Sequence, residues 1–150
     1  MLKTAQSKKF KNDLYDLIKK QKVFYKSIVS IFCPLLNETV YFTSEGFHHL
    51  THKSNNKRRK ISEQYMKLKC LSHVPAIVRD CTRIIETRSE EHIIKGKKKT
   101  VITHELIDGK KRSHNIAVII GKIGTGKHKF RSVKRISNNR YNSKKAPYGA

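Results

Sequence analysis

The chain has no tryptophan, only three prolines and three cysteines, and few acids: 11 Asp and Glu stand against 34 Lys and Arg, a formal net charge of +23 over 150 residues. Each shortage excludes something. Cys33, Cys70 and Cys81 are odd in number and form no C-x-x-C pair, so a disulfide-stapled scaffold is not expected and they read as reduced thiols. The scattered carboxylates offer no cluster for a two-metal nuclease. Long apolar runs are missing too: the longest, Ile28 to Leu36, is broken by Ser30 and Pro34, and the N-terminus has no apolar signal core. The expectation is no membrane partner, and action in a cytoplasm, that of the chain's own cell or of a target cell after delivery.

What is abundant is positive charge, and its distribution is uneven, since no acid follows Asp108. A field of this size attracts polyanions and speeds their capture. Charge alone would suit nucleic acid, an anionic membrane or an acidic protein; nucleic acid, RNA above all, is the expected partner. Hydrophobic content of 37% supplies a core and argues against disorder throughout.

Hydrophobic periodicity predicts an α+β domain over residues 1–136, with N-terminal helices packed on a four- to five-stranded antiparallel sheet, and a basic flexible tail over 137–150. Phe10, Leu14, Leu17 and Ile18 mark an amphipathic helix from about Lys8 to Gln21. Ile28 to Cys33 and Thr39 to Thr43 read as short strands, and Phe47 to His52 as a helical turn. Lys53 to Lys60 is a basic loop; Ile61, Tyr65, Leu68 and Leu71 mark a second helix; Ser72 reads as the cap of a third, with Pro75 in its first turn. Four strands follow: Arg83 to Arg88, Thr100 to Ile107, Ser113 to Ile120 and Lys127 to Arg135. Asp108-Gly109 is a tight-turn signal, and Ile116 to Ile120, apolar on both faces, suits a central strand.

Three constellations carry chemistry. His48, His49 and His52 lie beside Lys53, Arg58 and Arg59. RNA cleavage by 2′-hydroxyl attack needs a base of near-neutral pKa, an acid for the departing 5′-oxygen, and cations around the phosphorane-like transition state. His49, with His52 or His48 as substitute, is the candidate base, His128 a candidate acid, and Ser132 a ligand for a phosphate oxygen. The same histidines also read as surface polar residues in a patch that only contacts phosphate. A zinc site from His48 and His52 at i, i+4 lacks tight cysteine pairing. Asp80 with Glu86-Thr87-Arg88 is only a faint version of the Asp…Glu-x-Lys nuclease pattern, because Arg88 stands where lysine is needed. Gly121 to Lys127 misses a phosphate-binding loop by one residue, His128 replacing Ser or Thr, and reads as a β-turn. On a regular final strand, His128, Phe130, Ser132 and Lys134 would share one face, with Lys129, Arg131 and Val133 on the other. Lys127, Phe130, Arg131 and Lys134 are thus candidate nucleic-acid contacts, Phe130 as a base-stacking platform. A basic edge strand is the alternative.

The segments Gly46-Phe47-x-His49-Leu50 with Lys53, and Ile123-Gly124-x-Gly126-Lys127 with Phe130 and Ser132, together with helices preceding a meander, resemble the barnase–EndoU–colicin–RelE (BECR) superfamily, particularly its phage-associated and polymorphic-toxin branches. The resemblance spans roughly Val40 to Arg135. It implies a metal-independent endoribonuclease without a cofactor, often a toxin neutralised by an acidic antitoxin or immunity protein. His49 would match the early histidine and Ser132 the hydroxyl residue of the last strand, with Lys53 and Arg131 supplying charge. No glutamate sits where a barnase-like base would be. The alternative is a non-catalytic basic RNA- or DNA-binding accessory protein.

Overall fold

The first helix runs further than its apolar spacing suggested. In the computed structural model, which describes residues 2–108 and 115–142 with side chains from Lys8 onward, α1 spans Leu2–Ile28. Leu14, Gln21 and Tyr25 form its buried stripe, and Leu17, Ile18, Phe24 and Ile28 pack behind them. Ile28, expected to open a strand, instead closes this helix, and Val29 at φ 59° turns the chain into β1 (Ser30–Cys33). Then come β2 (Glu38–Tyr41), α2 (Ser44–Thr51), α3 (Ile61–Cys70), a 3-10 turn (Leu71–His73) and α4 (Val74–Asp80). Pro75 sits in the first turn of α4 as expected, but Ser72 does not cap it: its hydroxyl donates back to the Lys69 carbonyl oxygen. The strands β3 (Arg83–Ile94), β4 (Lys97–Ile107), β5 (Ile116–Ile123) and β6 (His128–Arg135) and the short α5 (Asn138–Tyr141) complete the fold.

The sheet is six-stranded and mixed, in the order β1-β2-β6-β5-β4-β3, rather than the antiparallel four- to five-stranded meander expected. The first hairpin joins the last strand: Val40 and Tyr41 pair in parallel with His128 and Lys129. The apolar β5 is interior, as its two-sided hydrophobicity required. Gly121 to Lys127 is the end of β5 and a hairpin turn into β6, with Gly124 at φ 55°. The Asp108-Gly109 turn and the expected start of β5 at Ser113 lie outside the described residues, apart from Asp108 itself.

β3 and β4 extend far past the limits expected at Arg88 and Thr100. They pair from Arg83↔Ile107 to Ile94↔Lys97, with one register shift between Ile84 and Glu86, and close on Lys95 and Gly96, both left-handed at φ 52° and 75°. β5 reaches only as far as Val101, so the outer part of this hairpin is a two-stranded ribbon with Lys95, Lys97, Lys98 and Lys99 at its tip. Glu91 and Lys98 are ion-paired across it at 2.9 Å.

Residues 137–142, expected as tail, are folded. Ser137 caps α5 by accepting from the Arg140 amide, and Tyr141 is buried with Ile107 and Ala117 on the sheet face away from the long helices. Arg140 reaches Glu86 at 2.5 Å and Glu105 at 2.8 Å. Residues 143–150 lie outside the described set. The three cysteines are buried and unbridged, and no helix among the described residues is long and apolar enough to cross a membrane.

Two features of β6 set the stage for a site. β2 ends at Tyr41, so from Phe130 onward β6 has no strand beside it on that side among the described residues; α2 and α3 pack there instead. A β-bulge lies between the pairs Ile119↔Ser132 and Ile120↔Phe130, which makes Arg131 the extra residue. The close approach of α2 to β6 needs Gly46: a Cβ there would stand 2.6 Å from the Phe130 carbonyl oxygen and 2.6 Å from the Tyr25 hydroxyl, which donates to the Thr43 carbonyl oxygen. Gly46→Ala is therefore expected to cost about 1–3 kcal/mol by overpacking. Urea unfolding measures it, and an unchanged midpoint would mean that α2 does not lie this close to β6.

Candidate active site

α2 is amphipathic about the edge of β6. Phe47 and Leu50 are buried in the core, and His49 turns along the strand. The chain leaves α2 at His52 and returns through Lys53 to Lys60, a loop closed by Lys53 N–H to the Lys57 carbonyl and Arg59 N–H to the Thr51 carbonyl. Arg59 is fixed further by its Nε, which donates to the His49 carbonyl oxygen at 2.9 Å, and by Glu63 at 3.5 Å. A cleft of about 390 Å³ opens between this loop and β6, lined by His49, Lys53, Ser54, Arg59, Arg131 and Ser132.

The electrostatics of the cleft favour an anion. Lys53, Arg59 and Arg131 line it, and Glu63, the carboxylate beside Arg59, is already committed to that guanidinium. His49 is held below the usual histidine range, first by burial and then by the Arg131 guanidinium, with Glu45 opposing. Its imidazole is therefore neutral near pH 7. Its Nε2 is buried without a hydrogen-bond partner among the described residues, the closest acid oxygen being Glu45 Oε1 at 3.6 Å. An unsatisfied buried nitrogen on a residue that lines a cationic cleft calls for an explanation.

Beneath the cleft lies a residue that sequence reasoning missed. Lys67 of α3 is buried at 7% exposure, and its Nζ donates to Ser132 Oγ at 3.1 Å and to the Val133 carbonyl oxygen at 3.0 Å. It thus satisfies a carbonyl on the strand-free side of β6. Burial, then Arg59 and Lys134, push its pKa down to about 8. A signal was present: Gln64, Lys67, Leu68 and Leu71 follow i, i+3, i+4, i+7, which places a lysine inside the buried stripe.

The other expected site residues lie elsewhere. His48 and His52 stack on each other, centroids 4.1 Å apart, and His48 also lines a separate apolar cavity with Tyr25, Phe42 and Phe47. His52 Nδ1 lies 2.8 Å from Thr51 Oγ1, and burial, His48 and Arg58 lower its pKa. Among the described residues, no group of three or more His, Cys, Asp or Glu is arranged to hold a metal ion. His128 is buried beside His104, ring centroids 6.0 Å apart, with its pKa lowered mainly by burial. Arg58 is exposed and its backbone bridges to His52, while Lys127 covers the Tyr41 ring at 4.6 Å.

The expected shared face of His128, Phe130, Ser132 and Lys134 is broken by the bulge. Phe130 and Val133 both enter the main core, whereas Lys134 turns to Glu105 at 2.9 Å on the opposite face. Phe130 is 1% exposed and packs on Tyr25 and Phe42, so its ring offers no platform to a base. Arg131 lines both the His49 cleft and a groove of about 340 Å³ across the sheet, which also holds Arg88, Glu105 and Lys134.

Comparisons of the chain with protein-family models, with curated proteins and with solved structures return no match.

Proposed function

We propose that this chain is a metal-independent endoribonuclease of the BECR type, acting from the cleft between α2 and β6. The observation that carries the reading is that His49 and Ser132, far apart in sequence, line one cleft with three cations. Neutral His49 takes the proton of the 2′-hydroxyl. Lys53, Arg59 and Arg131 stabilise the charge that gathers on the phosphoryl oxygens during in-line attack. The products are a 2′,3′-cyclic phosphate and a 5′-hydroxyl end, and no step calls for a metal. An acidic antitoxin or immunity protein covering the cleft is the matching partner, since the cations that line it would draw carboxylates.

Purified protein incubated with RNA in excess chelator tests the reading. The expected result is cleavage with cyclic-phosphate ends, blocked by 2′-deoxy substitution at the cut position. RNA that stays intact at high protein concentration, while being retained in a salt-sensitive manner, would identify a binding protein instead. The lysine-tipped ribbon of β3 and β4 is the feature that favours that second outcome, because its cations are not among the residues lining the cleft.

A further inference from the structure

Resting on that reading, we propose that Ser132 is the general acid for the departing 5′-oxygen, and that Lys67, buried behind it, is the positioning residue that resupplies its proton. The geometry sets the direction. Lys67 Nζ donates to Ser132 Oγ, so the hydroxyl accepts from behind and its own hydrogen is free to be donated into the cleft it lines. The second ammonium donor is held by the Val133 carbonyl oxygen, which fixes Nζ in place.

The surroundings of Lys67 fit a proton source rather than a structural ion pair. Its two acceptors, a hydroxyl and a carbonyl oxygen, are neutral, and among the described residues no carboxylate lies within ion-pair distance. It faces Arg59 from the preceding loop, Lys134 from β6, and Glu63 and Cys70 from its own helix, and the net effect of these neighbours and burial is to make its proton easier to release. His49 faces Arg131 from β6 and Glu45 and His48 from its own helix, and is held neutral. Two groups in one site, one shifted to accept a proton and the other to give one, make an acid–base pair.

The step balances. His49 removes the 2′-hydroxyl proton as the 2′-oxygen–phosphorus bond forms. The phosphorus–5′-oxygen bond breaks, the 5′-oxygen takes the Ser132 hydrogen, and Lys67 passes a proton to Ser132 Oγ. Protonated His49 and neutral Lys67 then exchange protons with solvent.

The test uses two substrates, an RNA oligonucleotide and a uridine 3′-phosphodiester whose leaving group is 4-nitrophenolate, which departs without a proton. Lys67→Met and Ser132→Ala are expected to cut RNA about 10²–10⁴-fold more slowly, the usual worth of a general acid. Both are expected to lose at least tenfold less on the nitrophenyl ester than on RNA, whereas His49→Ala fails on both. The kcat/KM profile of the wild type on RNA falls above pH about 8, and this alkaline limb is absent on the nitrophenyl ester. Should Lys67→Met not fold, Ser132→Ala carries the same comparison. Equal losses on the two substrates, or unimpaired RNA cleavage by both variants, would overturn the relay and leave the nuclease reading standing. A wild-type protein inert on both substrates would remove the two together.

Discussion

Replacing His49 with alanine is expected to slow RNA cleavage by about 10²–10⁴-fold, the range for loss of a general base. The unfolding midpoint should stay near that of the wild type, because the lost imidazole carries a buried nitrogen with no hydrogen-bond partner among the described residues. Its removal takes away no bond that the fold depends on. The pH dependence follows from the same group. On the proposed mechanism cleavage needs the neutral imidazole, so the rate rises as pH climbs through the His49 pKa and holds until the alkaline fall assigned to Lys67 begins. Burial and Arg131 place that pKa below the ordinary 6.5, so the acid limb of the profile lies lower than an unperturbed histidine would set it. Arg131→Gln should move the limb upward, since it removes a positive neighbour that disfavours the imidazolium. Activity surviving in His49→Ala but lost in His52→Ala or His128→Ala would move the base to another histidine and remove the cleft from the mechanism.

Why the α2–β6 cleft was legible and its floor was not is a matter of distance in sequence. His49 and Lys53 sit at i, i+4 next to a basic loop, and Arg131 and Ser132 are neighbours, so each half of the cleft is a local pattern. That the halves meet depends on β2 pairing in parallel with β6, a long-range contact that periodicity does not report. The α+β class followed from apolar periodicity, and the interior place of β5 from a run that is apolar on both faces. The bulge at Arg131 did not, and one extra residue was enough to exchange the faces of everything after Phe130. The outer β3–β4 ribbon was hidden because Glu90, Glu91 and Lys97 to Lys99 interrupt the apolar alternation that marks a strand. Its pairing rests on cross-strand neighbours such as Glu91 and Lys98, and on a left-handed Lys95-Gly96 turn, not on an apolar face. Lys67 was missed because its helix was marked by the apolar residues Ile61, Tyr65, Leu68 and Leu71 alone.

Phe130 separates two explanations of the last strand. As a stacking platform, its loss would weaken RNA binding and leave the fold alone. As a core residue, its loss should destabilise the fold. The ring is almost fully enclosed, stacked on Phe42 with centroids 5.2 Å apart and tilted against Tyr25 at 5.9 Å. Phe130→Ala is therefore expected to cost about 3–5 kcal/mol, the range for deleting a buried aromatic ring and leaving a cavity. The cost should fall first on the contact that forms the cleft, because Gly46 brings α2 against the same ring and its carbonyl oxygen. His49 is carried on that helix, so loosening it separates the base from Ser132 before the sheet itself comes apart. Urea unfolding followed by circular dichroism, alongside cleavage assays below the transition, measures both effects. Phe130→Leu should recover much of the stability and with it the activity, because an apolar side chain refills most of the volume. A Phe130→Ala protein that unfolds at the wild-type midpoint yet loses RNA affinity would place the ring at the RNA surface, and α2 could not then be packed on β6 through it.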